Sequence, residues 1–168
     1  MEIIENKNLK SFSWWRVGGP AEFFCQPNNP AELKTALSWA KENQRAFSVL
    51  GGGTNVLISD QGIKGLVIST SKLQSCSVQK TENSLLITCG AGLLKSQLMK
   101  IFKTHKLAPA LFLSGLPGDV GGGVVMNAGV SRSFKPSEFS EIIKSFKARN
   151  FEGSKTYFKE DIKWSYRQ

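Results

Sequence analysis

The chain has 168 residues, enough for one ordinary domain or two small lobes sharing a seam. Its hydrophobic share of 40% supplies a core, yet no stretch approaches the roughly 20 apolar residues of a membrane span, and the mixed-charge start MEIIENKNLK lacks a signal-peptide apolar run, so the expectation is a soluble cytoplasmic protein with no membrane role. The formal charge of +9 points either to an ordinary basic background or to an anionic ligand; the basic residues are scattered, which argues against a nucleic-acid binder.

In chain order, AEFFCQP (21–27) reads as a short strand ended by Pro27. NNPAELKTALSWAKENQ (28–44) is the clearest helix. Asn29 suits the cap, Pro30 the first turn, and Glu32 stands three residues after the cap. Leu33, Ala36, Leu37 and Ala40 form its apolar stripe. AFSVL (46–50) is a strand running into Gly51-Gly52-Gly53. NVLISD and GLVIST read as two further strands, with a turn at Asp60 to Gly62.

From about Ser71 the pattern changes, and a boundary there divides the chain into lobes 1–70 and 71–168. LQSCSVQ and SLLITCG form a hairpin turning at Glu82-Asn83. LLKSQLMKIFKTHK (93–106) is an amphipathic helix with Leu94, Leu98, Ile101 and Phe102 inward. His105, the lone histidine, sits near its end in a surface or capping role. LSGLPGDVGGGVVMNAG (113–129) is a second glycine-rich segment leading into a short helix near Val120 to Asn127. EIIKSFKARN, a turn at Glu152-Gly153 and KTYFK make a late hairpin.

Cys25, Cys76 and Cys89 contain no Cys-x-x-Cys pair, so no metal site is expected. The predicted hairpin sets Cys76 opposite Cys89. Two free thiols are the favoured reading in a reducing compartment; a cross-strand disulfide is the alternative.

The glycines carry the functional signal. In LGGGTNV a strand delivers backbone N–H groups into a tight turn, where successive amides form a concave anion site, and Thr54 and Asn55 add side-chain donors. A ligand-free turn is the competing reading. No Gly-Lys-Ser/Thr occurs, which excludes the P-loop, and no long helix follows the glycines, which excludes the Rossmann fingerprint. In the second segment Gly115, Gly118, Gly121, Gly122, Gly123 and Gly129 crowd together. A helix starting at Val120 would aim free N–H groups at an anion. Two such loops point to a ligand with a diphosphate and a planar ring, held in the seam. Trp14 and Trp15 are candidates to edge a ring site, although most of the other aromatics fall at core positions.

Four stretches in order, WRVGGPAEFF (15–24), LGGGTNVLISDQGIKGLVI (50–68), SGLPGDVGGGVVMNAG (114–129) and the terminal Tyr166-Arg167, resemble the UDP-N-acetylmuramate dehydrogenase family, also called UDP-N-acetylenolpyruvoylglucosamine reductase. The resemblance implies an α+β, two-lobed FAD-binding domain of the vanillyl-alcohol-oxidase/PCMH type, with the third, substrate-binding domain absent from this chain. It implies non-covalent FAD, NADPH as hydride donor, a UDP-sugar substrate, a role in peptidoglycan precursor synthesis, and a monomer.

Carried over by motif, the FAD contacts are Arg16, Gly18 and Gly19; then Gly51, Gly52, Gly53, Thr54, Asn55, Val56 and Leu57; then Gly115, Leu116, Pro117, Gly118, Val120, Gly121 and Gly122; and Met126, Asn127, Ala128 and Gly129. Arg167 matches the catalytic arginine of the family's Tyr-Arg-x-Ser motif; an arginine suits a carboxylate through two parallel bonds. The sequence departs from the family in AGVSRS (128–133), in PALFLSG (109–115) and at Trp14. It also ends at Gln168, ahead of the third domain that supplies the proton-donating serine. The alternatives are a catalytically inactive FAD-binding or flavin-free relic or interaction protein of the same fold, a different FAD oxidoreductase, and a basic nucleic-acid binder.

Overall fold

A computed structural model describes residues 1–80, 82, 84–130 and 135–165. The first 70 residues build a four-stranded sheet in the order β1 (Ile4–Asn8), β2 (Pro20–Cys25), β4 (Ile63–Ser69), β3 (Phe47–Leu50). β1 runs antiparallel to β2, and β4 lies parallel to both β2 and β3. Gly65 to Ser69 are buried without a break, as expected for an inner strand covered on both faces. One face packs Leu9, Phe24, Leu50, Ile58 and Val67 together. The other carries Cys25, Leu66 and Ile68 against Ala36, Leu37 and Ala40 of α1 (Pro30–Glu42). The cap is as expected: Asn29 Oδ1 accepts from Glu32 N at 2.9 Å, and the Glu32 carboxylate accepts from the Asn28 amide and side chain at 2.8 Å each.

The rest begins with a hairpin of β5 (Cys76–Lys80) and β6 (Leu85–Cys89), in which Cys76 pairs with Cys89. All three cysteines are free; Cys76 is exposed and Cys89 half-buried. α2 (Lys95–Thr104), α3 (Val120–Val125) and α4 (Phe139–Ile142) surround a third core of Leu93, Leu98, Phe112, Leu113 and Phe139. Backbone of 3-10 type over Ala108–Gly115 joins α2 to the second glycine segment. A last hairpin, β7 (Ser145–Arg149) and β8 (Ser154–Phe158), sets Phe151 edge-on to Phe47 of β3.

Three local readings are corrected. NVLISD is an irregular loop, because Ile58 plugs the first core while the Ser59 carbonyl accepts from Gly19 and Gly62, which leaves no edge for a ladder. Leu94 is 42% exposed: it stands at the cap of α2, before the helical stripe begins. The N-terminal strand β1, not expected from the sequence, exists because Ile3 and Ile4 pack on opposite faces of the sheet. His105 is the exposed C-cap of α2. Among the described residues no helix is long and apolar enough to cross a membrane, and no His/Cys/Asp/Glu cluster could hold a metal.

Candidate functional site

β3 ends at Leu50 and delivers the chain into the first glycine bend. Gly53 adopts φ +66° and passes so close to the Phe12 carbonyl that a Cβ would lie 1.9 Å from its oxygen. Its own carbonyl accepts from Trp14 N at 3.0 Å, which ties the bend to the 9–16 segment. Among the described residues, none of the amides from Gly51 to Leu57 makes a close, well-aligned hydrogen bond to a carbonyl or side chain, although the turn at Thr54-Asn55 brings the Val56 N–H toward the Gly53 carbonyl. Buried amides are nearly always paired with protein or water; this run, exposed at Gly52 and from Asn55 to Leu57, stands open to water or to the acceptor oxygens of a ligand. Thr54 is half-buried, while Asn55, Val56 and Leu57 face solvent.

The second bend meets the first. A Cβ on Gly52 would lie 3.1 Å from Gly118 Cα, and one on Gly118 (φ +89°) would lie 2.7 Å from Thr54 Oγ1. A Cβ on Gly51 would press on the Asp119 carboxylate, 2.7 and 2.9 Å from its two oxygens. Only bare backbone lets the two bends stack this closely.

The expected free N–H groups at the start of α3 are not there. Val120 N donates to Leu93 O at 2.9 Å and Gly121 N to Ala91 O at 2.8 Å. Gly122 N is capped by Asp119 Oδ1 at 2.8 Å, and Gly123 N closes onto Asp119 O at 3.1 Å. Of the four orphan donors at a helix start, Val120, Gly121 and Gly122 are thus taken up by Leu93, Ala91 and the Asp119 side chain, while Gly123 makes the first regular helical bond. In this bend Gly118 and Asp119 keep amides with no acceptor among the described residues. Leu116 N turns inward to Leu113 O, and Pro117 has no N–H. Nothing crowds the Cβ position of exposed Gly115.

A cleft of about 330 Å³ opens beside the first bend, lined by Ser11, Phe12, Ser13, Trp14, Arg16, Gly51, Gly52 and Ser71. That volume falls at the small end of ligand sites, roughly 300–1,000 Å³. Arg16, at φ +54°, is one of its lining residues. Gly18 and Gly19 do not line it. Both are buried, with their Cβ positions filled by Ile58 and by the Asp60 carbonyl, so they seat the loop that follows the bend. Met126, Asn127, Ala128 and Gly129 also lie outside the lining. Asn127 (φ +40°) is 2% exposed and caps α4 by accepting from Ser140 N at 2.9 Å, and Gly129 pairs with Glu138. The 126–129 turn therefore fastens α4 to α3. Arg167 lies outside the described residues.

Sequence reasoning missed Ser13, Ser71, Lys95 and Asp119. Ser13 Oγ is buried with no hydrogen-bond partner, directly under the bend. Ser71 Oγ receives Gln26 Nε2 at 2.8 Å and contacts Ser69 Oγ at 3.0 Å. Lys95 and Asp119 are both buried. Ser13, within three residues of Arg16, and Asp119, one residue before the predicted helix start at Val120, carried local cues.

These features suit a dinucleotide. The unpaired amides, the bare Gly51 and Gly52 and the orphaned Ser13 hydroxyl fit phosphate oxygens. Arg16 adds charge, and the exposed Trp14 an aromatic face.

Residues 21–154 match the family model described as FAD binding domain. The chain belongs to the FAD-binding domain family. It is 38% identical over 155 residues to the UDP-N-acetylenolpyruvoylglucosamine reductase of Treponema denticola, covering 92% of this chain and 47% of that protein. With the reductase of Rickettsia conorii it shares 35% identity over 167 residues, 99% of this chain and 54% of the relative. The chain thus spans about half the length of the curated relatives it matches. The solved reductase from Thermus caldophilus superposes with a TM-score of 0.75 at 27% identity, over 99% of this chain and 55% of that one. Cholesterol oxidase from B. sterolicum, at 14% identity and a TM-score of 0.64, shares the fold alone. The α+β architecture is the PCMH-type FAD-binding fold.

Proposed function

We propose that this chain is the FAD-binding part of a UDP-N-acetylenolpyruvoylglucosamine reductase, with lobes of 1–70 and 71–168 and the dinucleotide in the seam between the glycine bends. The observation that carries the reading is the run of amides from Gly51 to Leu57 without close protein acceptors, backed by glycines that let the second bend close behind it. The chemistry that bound FAD supplies is hydride relay from NADPH to the enolpyruvyl ether of a UDP-sugar, in peptidoglycan precursor synthesis.

The chain's own residues do the holding. Amides 51–57 bind the diphosphate, with Gly118 and Asp119 amides beside them. Arg16 adds charge at the rim, and the Ser13 hydroxyl turns to donate to a ligand oxygen. Arg167 steadies the substrate carboxylate. The remaining motif residues support the bends: Gly18 through Ile58, Gly19 through the Ser59 and Asp60 backbone, and Val120, Gly121 and Gly122 through their bonds to 91–93 and Asp119. Met126 to Gly129 act through α4. The reading includes a cytoplasmic, monomeric protein that engages no membrane or nucleic acid.

Purification tests this. A protein that carries flavin colour or takes up added FAD one-to-one, and whose flavin is bleached by NADPH, supports the reductase. A second reading, a flavin-free protein of this fold, draws on the internal engagement of the α3 amides. It predicts a folded, colourless chain that takes up no FAD.

A further inference from the structure

Lys95 opens α2 and is 5% exposed, although lysine almost always keeps its ammonium in water. Its Nζ donates to the Pro117 carbonyl at 2.8 Å, its backbone N–H donates to the Gly118 carbonyl at 3.1 Å, and Nζ stands 5.9 Å from the centre of the Phe139 ring. Gly123 makes room for the side chain, since a Cβ there would lie 2.8 Å from Lys95 Cε. The chain has built a socket for one ammonium behind the second bend. Burial pulls the Lys95 pKa below its ordinary value and nearby Asp119 pulls it back up.

Asp119 is the other half. It is 3% exposed, and its carboxylate accepts from Gly122 N at 2.8 Å and from Thr70 Oγ1 at 3.5 Å. The same oxygens lie against Gly51, at the back of the first bend. A carboxylate there opposes any phosphate gathered by the Gly51–Leu57 amides, and water screens the opposition less on the Asp119 side, where the carboxylate is buried. A cation near Asp119 cancels that field.

We propose that Lys95 is a charge-compensating positioning residue. Its ammonium offsets Asp119 behind the stacked bends, so that the first bend accepts the diphosphate of a dinucleotide. The inference rests on the reading of that bend as the diphosphate cradle.

The test is a double-mutant cycle of Lys95→Met and Asp119→Asn in the full chain, titrated with FAD by flavin fluorescence and melted by circular dichroism. Asparagine keeps the α3 cap. Lys95→Met is expected to weaken FAD about tenfold, Asp119→Asn to tighten it about threefold, and the double variant to bind at least as tightly as wild type, where simple additivity would leave it about threefold weaker. A merely structural lysine would act independently of Asp119 and leave the double variant about threefold or more weaker than wild type, and that result overturns the proposal. If Lys95→Met fails to fold, Asp119→Asn decides alone: unchanged or weaker FAD binding overturns it. A wild-type chain that binds no FAD sinks the cradle reading and this inference with it. A wild-type chain that binds FAD with no cycle coupling sinks only the role of Lys95.

Discussion

At the scale of single residues, the bends depend on what is missing from them. Gly53 combines a left-handed φ of +66° with a Cβ position 1.9 Å from the Phe12 oxygen. Gly53→Ala is expected to cost at least about 2 kcal/mol and to abolish FAD uptake, read by thermal melting and flavin titration; a melt within a degree or so of wild type contradicts it. Asn29→Ala removes the α1 cap and is expected to cost about 1 kcal/mol in denaturant unfolding. Glu32 gives the pH dependence. Hydrogen bonds from the Asn28 backbone and side chain lower its pKa below 4.5. Its unfolded form therefore holds the proton more tightly, so its small contribution is present above pH 4.5 and is lost as pH falls through the lowered folded value. The Glu32→Gln variant should lose less stability than wild type over that acid range; equal losses would show that the bond does not matter.

At the scale of elements, the turns and apolar runs were legible and the partners of individual amides were not. Asn29-Pro30 with Glu32 announced α1 because capping is a local affair among adjacent residues. The β5–β6 register was legible because alternation and a turn fix the pairing. The occupation of the Val120 and Gly121 amides was not, because their acceptors, Leu93 and Ala91, are set by a contact nearly thirty residues back in the chain. Lys95 looked like an ordinary polar position on an amphipathic helix; its burial follows from Gly123 and Pro117, which the helix pattern does not contain.

The hairpin makes its own prediction. Gly90 N donates to Ser75 O, so Ser75 and Gly90 are a hydrogen-bonded pair, and Cys76 and Cys89 form the next, non-bonded pair. Such pairs bring Cα atoms to about 4.5 Å, within reach of a disulfide. A low-molecular-weight disulfide should therefore close Cys76 to Cys89. The exposed Cys76 sulfur displaces one reagent thiolate, the Cys89 sulfur displaces the second, and each cysteine gives up its proton. Burial raises Cys89 to about 11, so closure should speed up with rising pH. Mass spectrometry would show the loss of two hydrogens with buried Cys25 still free; a lasting adduct on Cys76 contradicts the geometry.

At the scale of the whole molecule, a four-stranded sheet and a helical half each contribute one bend, and the two bends touch at Gly52 and Gly118. The sheet spaces the first bend, and α2, α3 and residues 91–93 brace the second. The glycine spacing made a pair of loops readable in the sequence. That they stack on each other, with the unpaired amides concentrated on one of them, is a property of the assembled fold. The most direct measurement is an amide-resolved NMR titration of the isotope-labelled chain with FAD. The account predicts that the largest shifts fall on Gly51 to Leu57, with smaller ones at Gly118 and Asp119 and little change at Val120 and Gly121. Saturable FAD binding that leaves Gly51 to Leu57 unmoved would contradict it.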